Sequence, residues 1–340
     1  VLSGLVEQLR QTAGILHKQD IRSVSTNLIS TNLVSTNLIS ADSSFNSDVT
    51  PPIQVGDDCA AIPDGDTYLL FAAEGILPAF VDSDPWFAGW SAVMVNISDI
   101  AAMGGRALAV VDVVWSQSDE MATQLWAGMQ AAAQTYDVPI VGGHTNHRSP
   151  YNALSVAITG RANRLISGFN AQPGDALLMA IDLNGQPHPR YPFWNAATKA
   201  DPIQLRRKLE ILPALAEAEL CDAGKDISMG GIVGTLLMLL ETSRCGAVLD
   251  LDTIPRPPEV ALERWLISFP SYGFLLSVRP ERVAAIQSQF QQQQIACEVI
   301  GQINSNQQLW FQQGNETALF WDLAAAPITG FAPLNPDLKP

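Results

Sequence analysis

The chain has 340 residues, 47% hydrophobic and 16% charged, which is enough for two domains with substantial cores and unlike a disordered chain. A formal charge of −15 argues against nucleic-acid binding, because that field repels phosphate backbones; an anionic ligand would need metal ions, backbone amides or a few local cations. Cys59, Cys221, Cys245 and Cys297 form no CxxC pair, and no stretch has the layout of a signal peptide or the length of an apolar membrane span, so a cytoplasmic protein without a membrane partner is expected.

In chain order, Leu5, Leu9, Ala13 and Leu16 fall at helical spacing, which predicts one amphipathic helix from Leu2 to about Lys18. Residues 23–50 form a low-complexity insert whose centre, Ser25 to Ile39, is three copies of Ser-Thr-Asn-Leu-Ile/Val. Three units are too few for a solenoid, leaving a duplicated insert or a lid over the site that follows. From Pro51 strands and helices alternate. A strand is predicted over Tyr68–Ala73 and a helix over Asp84–Met103, with Asp84 as N-cap and Pro85 at its first position. A strand over Ala107–Trp115, a helix over Asp119–Tyr136, and strands over Val138–Val141 and Leu154–Thr159 follow. Gln172-Pro-Gly-Asp175 reads as a turn at a domain boundary. Beyond it, strands are predicted over Ala176–Ile181, Ala247–Leu251, Phe274–Val278 and Ile295–Ile300. Helices are predicted over Asp201–Glu219, Met229–Thr242 and Pro280 to about Gln291. The whole is an α+β chain with domains over about 51–165 and 170–330. The loop Gly185–Trp194, rich in proline and aromatic residues, reads as rigid without revealing its ligand.

Several segments could carry chemistry. In Gly56-Asp57-Asp58 two adjacent carboxylates repel each other unless a cation lies near; a divalent metal or a solvated turn accounts for them. The helix over Asp84–Met103 is apolar nearly all round and therefore buried, yet it carries Asn96 and Asp99 one turn apart near its C-terminal end. A carboxylate there is disfavoured by the helix dipole and by burial, so Asp99 needs a metal, a positive partner or a backbone network. Gly104 and Gly105 end that helix and allow close backbone approach. Gly142-Gly143-His144-Thr145-Asn146, placed just after a short strand, reads as a ligand-contacting turn or a plain one. In Asp226-Ile-Ser228-Met-Gly230-Gly231, Ser228 can cap the following helix, whose first amides suit a phosphate.

Taken together, Gly56-Asp-Asp-Cys-Ala-Ala61, Val95-Asn-Ile-Ser-Asp-Ile-Ala-Ala-Met-Gly104, Gly142-Gly-His-Thr145, Pro173-Gly-Asp175 and Lys225-Asp-Ile-Ser-Met-Gly-Gly231 resemble the AIR synthase-related superfamily. That superfamily includes aminoimidazole ribonucleotide synthetase, thiamine-monophosphate kinase, selenide water dikinase and the hydrogenase-maturation dehydratase. The resemblance implies an N-terminal domain whose strands build a barrel shared across a homodimer, a C-terminal α/β domain, and ATP bound with Mg²⁺. It implies catalytic roles for Asp58 and Asp99, and metal-holding roles for Asp57, Asp58, Glu74 and Asp99. It further implies a nucleotide or substrate site built from Asn96, Gly104, Gly142, Gly143, His144, Asn146, Asp226, Ser228, Gly230 and Gly231. The implied activity is phosphorylation of a small metabolite's oxygen, as in a synthetase or cyclase, with a small-molecule kinase or a non-catalytic ATP-binding regulator as alternatives. Met229 and Pro270-Ser271 stand where the thiamine-monophosphate kinases carry acidic residues, and no cysteine precedes Cys59, unlike the selenide enzymes.

Overall fold

The computed structural model describes residues 2–22 and 53–331; the pentapeptide repeat lies outside the described residues. The expected single first helix is two, α1 (Leu2–Arg10) and α2 (Ala13–His17). The break follows from Thr12, whose hydroxyl donates to the Leu9 carbonyl at 2.9 Å while its backbone is extended. Leu2, Val6, Leu9 and Ile15 are buried, whereas Leu16 is exposed.

The first sheet has five strands in the order β1-β2-β5-β3-β4, formed by β1 (Ala60–Asp64), β2 (Thr67–Ile76), β3 (Arg106–Ser116), β4 (Ile140–His147) and β5 (Ala153–Ala162). It is open within the chain, with β1 and β4 at its edges. After β2 come α3 (Pro78–Ser83) and α4 (Pro85–Ala102), and α5 (Asp119–Tyr136) joins β3 to β4. The Asp84 side chain accepts from the Phe87 amide and Pro85 opens α4, as the sequence predicts. Residues Phe87 to Ala102 of α4 are all buried, packed on the sheet and against α5. At that crossing the backbones nearly touch: a Cβ on Gly128 would run into the Trp86 carbonyl, and one on Gly89 into that of Leu125. Because backbone cannot yield as a side-chain tip can, Gly128→Val is expected to cost at least about 3 kcal/mol in urea denaturation. A loss below about 1 kcal/mol would show that the helices slide apart freely.

The second sheet has seven strands, ordered β15-β14-β10-β13-β6-β12-β9. They are β6 (Ala176–Ile181), β9 (Ala223–Asp226), β10 (Gly246–Asp250), β12 (Gly273–Val278), β13 (Ala296–Asn304), β14 (Gln308–Gln313) and β15 (Glu316–Asp322). Strand β6 is buried on both faces. Leu177, Met179 and Ile181 join one core with α8 (Gly231–Thr242), while Leu178 and Ala180 join the other with α7 (Ile211–Glu217) and α10 (Val283–Gln292). The predicted helix over Asp201–Glu219 divides into α6 (Pro202–Leu209) and α7, since Pro213 can enter only the first turn of a new helix. A small sheet of β7 (Gln186–Pro187), β8 (Phe193–Asn195) and β11 (Phe269–Pro270) folds the proline-rich loop against α3 and α4; α9 (Leu262–Leu266) precedes β11. None of the described helices is long and apolar enough to cross a membrane.

Both ends of the described chain lie on the second sheet's side. Arg10 donates to the carbonyls of Phe320 and Leu319. The buried Glu241 of α8 accepts from the amides of Ile328, Thr329 and Gly330, and Phe331 covers Gly56 so closely that a Cβ there would overlap its ring.

Candidate functional site

Five carboxylates and two lysines converge between the sheets: Asp57 and Asp58 ahead of β1, Glu74 on β2, Asp99 in the last turns of α4, Lys225 and Asp226 at the end of β9, and Lys18 just after α2. Lys225 is the hub. Its Nζ lies 2.6 Å from Asp58 Oδ1 and 3.3 Å from Asp57 Oδ1, with all three side chains buried. Burial alone would lower its ammonium pKa, but Asp58 and Asp57 hold it above the ordinary lysine value. Asp57 also accepts from Ser167 Oγ at 2.5 Å and the Gly168 amide at 3.0 Å, and Asp58 from the Asp226 amide at 3.2 Å.

Asp99 is different. It is 7% exposed, and its Oδ2 has no hydrogen-bond partner; neither has Oδ1 of Asn96, which spends its Nδ2 on the Ala92 carbonyl. Burial first, then Asp226, Glu74 and Asp58, push the Asp99 carboxyl far above its usual range. Burial and Asp58 likewise push Asp226 up to about 8, and burial raises Glu74. Lys18 donates to Ser228 Oγ at 3.2 Å, and burial lowers its ammonium pKa.

The expected metal set is therefore not preassembled: among the described residues no group of three His, Cys, Asp or Glu side chains stands ready to hold a metal ion. Lys225 occupies the place between Asp57 and Asp58, and Asp57 is already spent on Ser167, Gly168 and Lys225. The orphaned oxygen of Asp99 fits a divalent cation nonetheless, since a cation would satisfy it and offset the repulsion among Asp58, Glu74, Asp99 and Asp226.

A cavity of about 210 Å³ opens from this cluster, lined by Lys18, Glu74, Asp99, Asp226 and Ser228 at one end. Other expected site residues lie elsewhere. Gly142, Gly143, His144 and Asn146 lie within β4, not after a short strand, because the ladder with β3 runs on through His147. Gly142 and Gly143 border a separate, open cavity with Trp126 and Gln130. Gly104, at φ 72°, ends α4 and packs on Ala216 and the Arg164 carbonyl. Ser228 does not cap α8. The N-cap is Gly230, at φ 94°, and a Cβ on Gly14 of α2 would stand 3.0 Å from its backbone, so α2 roofs that turn. Gly231 packs against Ile267.

Lys18, Lys225 and Ser167 escaped the sequence reading; only the position of Lys225 beside Asp226 hinted at a role. So did Asp112 on β3, 2% exposed, whose two carboxylate oxygens lack partners and fill the space beside Gly143. Burial raises its pKa. Sign follows from that direction: with the folded value above the unfolded one of about 3.9, stability is full below pH 4 and falls as pH rises through the folded value. Asp112→Asn should therefore gain about 1–2 kcal/mol at pH 8, and the gain should vanish near pH 4. Thermal melts across that range check this; a pH-independent difference would refute it.

The chain is thus a two-domain α+β fold whose two open sheets enclose a buried carboxylate–lysine cluster. The model for the AIR synthase related protein N-terminal domain matches residues 56–162 and that for the C-terminal domain residues 174–311. The chain belongs to the AIR synthase-related family. It is 52% identical over 332 residues to an uncharacterised protein of Synechocystis sp., covering 97% of this chain and 99% of that one. It is 28% identical to the thiamine-monophosphate kinase of Synechococcus elongatus, over 74% of this chain and 84% of that one. The fold also matches T. maritima PurL complexed with ATP (TM-score 0.68, 17% identity), covering 82% of this chain and 46% of that one.

Proposed function

We propose that the protein is an ATP- and Mg²⁺-dependent enzyme that phosphorylates an oxygen of a small metabolite, as a synthetase or cyclase in the first place and a kinase in the second. The orphaned Oδ2 of Asp99, set among Asp58, Glu74 and Asp226 at one end of a cavity, is the observation that carries this reading. Those four residues would hold the magnesium. Bound there, the ion would spread the negative charge of the transferring phosphoryl group. Lys225 holds Asp58 in place at 2.6 Å and offsets part of the burial that raises its pKa, and Lys18 brings an amino group to the cavity's polar end. The acceptor oxygen would bond to the γ-phosphorus as the bridging P–O bond breaks and ADP leaves with that electron pair.

A homodimer is part of the proposal. Phe71, Leu108, Val111 and Val141 of the five-stranded sheet are 40–64% exposed, an apolar surface that pairing with a second copy would bury. We place the nucleotide's transferring phosphate at the carboxylate end of the cavity, apart from Gly142, Gly143, His144 and Asn146 on the edge strand, and the protein in the cytoplasm, where its four buried cysteine thiols are at home.

Calorimetric titration with AMPPCP tests the reading: binding with Mg²⁺ and at least about tenfold weaker binding without it is expected. Binding with no metal dependence would overturn the carboxylate assignment. Binding without ADP release from ATP across candidate metabolites would favour the regulator, a reading that Met229 among the acidic residues keeps in view.

A further inference from the structure

The far end of the cavity is unlike its carboxylate end. Phe80, Phe87, Met94, Phe193 and Phe269 form its wall, with ring centroids 5.7 Å apart for Phe80–Phe87, 5.1 Å for Phe80–Phe193 and 6.1 Å for Phe193–Phe269. The wall is fixed in place by the proline-rich loop. The Trp194 indole donates to the Asp182 carbonyl at 2.9 Å, the Tyr191 hydroxyl to the Ala79 carbonyl at 3.0 Å, and Arg264 to the carbonyls of His188 and Tyr191. Such a wall binds without having to be ordered first.

Charge restricts what can enter. Among the described residues, the basic side chains lining the cavity are His17 and Lys18, both at the acidic end, and Lys18 already faces Asp226, Glu74 and Asp58. A phosphate ester needs arginine, lysine or open helix-start amides. The aromatic end offers none of these side chains, and Gly14 roofs the amides at the start of α8. A carboxylate acceptor would lack the same partners at the aromatic end.

We infer that the acceptor is an uncharged compound, not a phosphate ester. Its apolar body sits among Phe80, Phe87, Phe193 and Phe269, and its oxygen points to the carboxylate end. The assignment of that oxygen as the reacting atom rests on the phosphorylation proposed above; the binding preference does not. Phe193 and Phe269, both on the small sheet of the second domain, then set specificity from the side opposite the carboxylates on α4 and β2.

Three probes with one apolar body and different charge decide this: benzamide, benzoate and phenyl phosphate, titrated into the full chain and followed by ligand-observed NMR. Benzamide is expected to bind, with phenyl phosphate and benzoate at least about tenfold weaker. Phe193→Ala should weaken benzamide about tenfold, and Phe269→Ala likewise. A thermal melt of each variant guards against misfolding. Phenyl phosphate binding as tightly as benzamide, no benzamide binding, or an unchanged affinity in a folded Phe193→Ala variant would each overturn the inference. Nucleotide titration of the same samples separates the two readings. AMPPCP bound with Mg²⁺ but no benzamide sinks the acceptor class alone, and the reverse sinks the phosphorylation reading alone.

Discussion

Lys225→Met is expected to lose about 3–5 kcal/mol of stability in urea denaturation at pH 7. The substitution keeps the length and apolar stem of the side chain but removes the ammonium that lies 2.6 Å from Asp58 and 3.3 Å from Asp57, leaving two adjacent buried carboxylates facing each other. Ion pairs at the surface are worth little; this one is costly to break because solvent cannot take over for the missing charge. A second substitution makes the test specific. If the penalty comes from uncompensated charge, adding Asp58→Asn should recover a large part of it, so the double variant would be more stable than Lys225→Met alone. A loss below about 1 kcal/mol, or no recovery in the double variant, would mean that the lysine is not the counter-ion on which this turn depends.

Asp99→Asn should have effects of opposite sign on stability and on ligand binding. The metal-free protein is expected to gain about 1–3 kcal/mol at neutral pH, since the change removes a buried carboxyl, one oxygen of it unpartnered, that burial, Asp226 and Glu74 all disfavour as an anion. Affinity for AMPPCP in the presence of Mg²⁺ should fall by at least about 100-fold, while any metal-independent binding stays as it was. The opposed signs are the diagnosis, because a carboxylate kept for packing or for a backbone network would lose stability on replacement. A variant less stable than the parent with nucleotide binding intact would assign Asp99 to the scaffold.

The parts of the fold legible from sequence were those whose signal is local. Proline at 85, the Asp84 cap and an unbroken apolar run define α4 within a residue or two, and the long strands β3 and β5 announce themselves by β-branched runs. Strands β1 and β9 do not: Pro63 interrupts the first, and Ala-Gly-Lys-Asp is too short and too polar to alternate. Carboxylates of the site were equally legible, because adjacent acids and an acid on an apolar helix are anomalies on their face. Their counter-ions were not. Lys225 meets Asp57 across 168 positions of sequence and Lys18 meets Ser228 across 210, distances over which no periodicity carries information. Nor could the sequence show that Gly230 is roofed by Gly14, since two glycines signal space without saying what fills it. Lys225, lodged between Asp57 and Asp58, also explains why a metal site inferred from acids alone is not preassembled.

Both ends of the described chain bear on the working parts. Gly14 rests on the turn at Gly230, and Phe331 rests on Gly56, one residue before the paired aspartates, with Glu241 gripping the backbone just ahead of it. Anyone handling this protein inherits a practical constraint from that. Trimming back past Ile328, or crowding α2 with a rigid fusion partner, would disturb the carboxylate–lysine cluster as a substitution within it would, and a purification handle is safest on a long, pliant spacer.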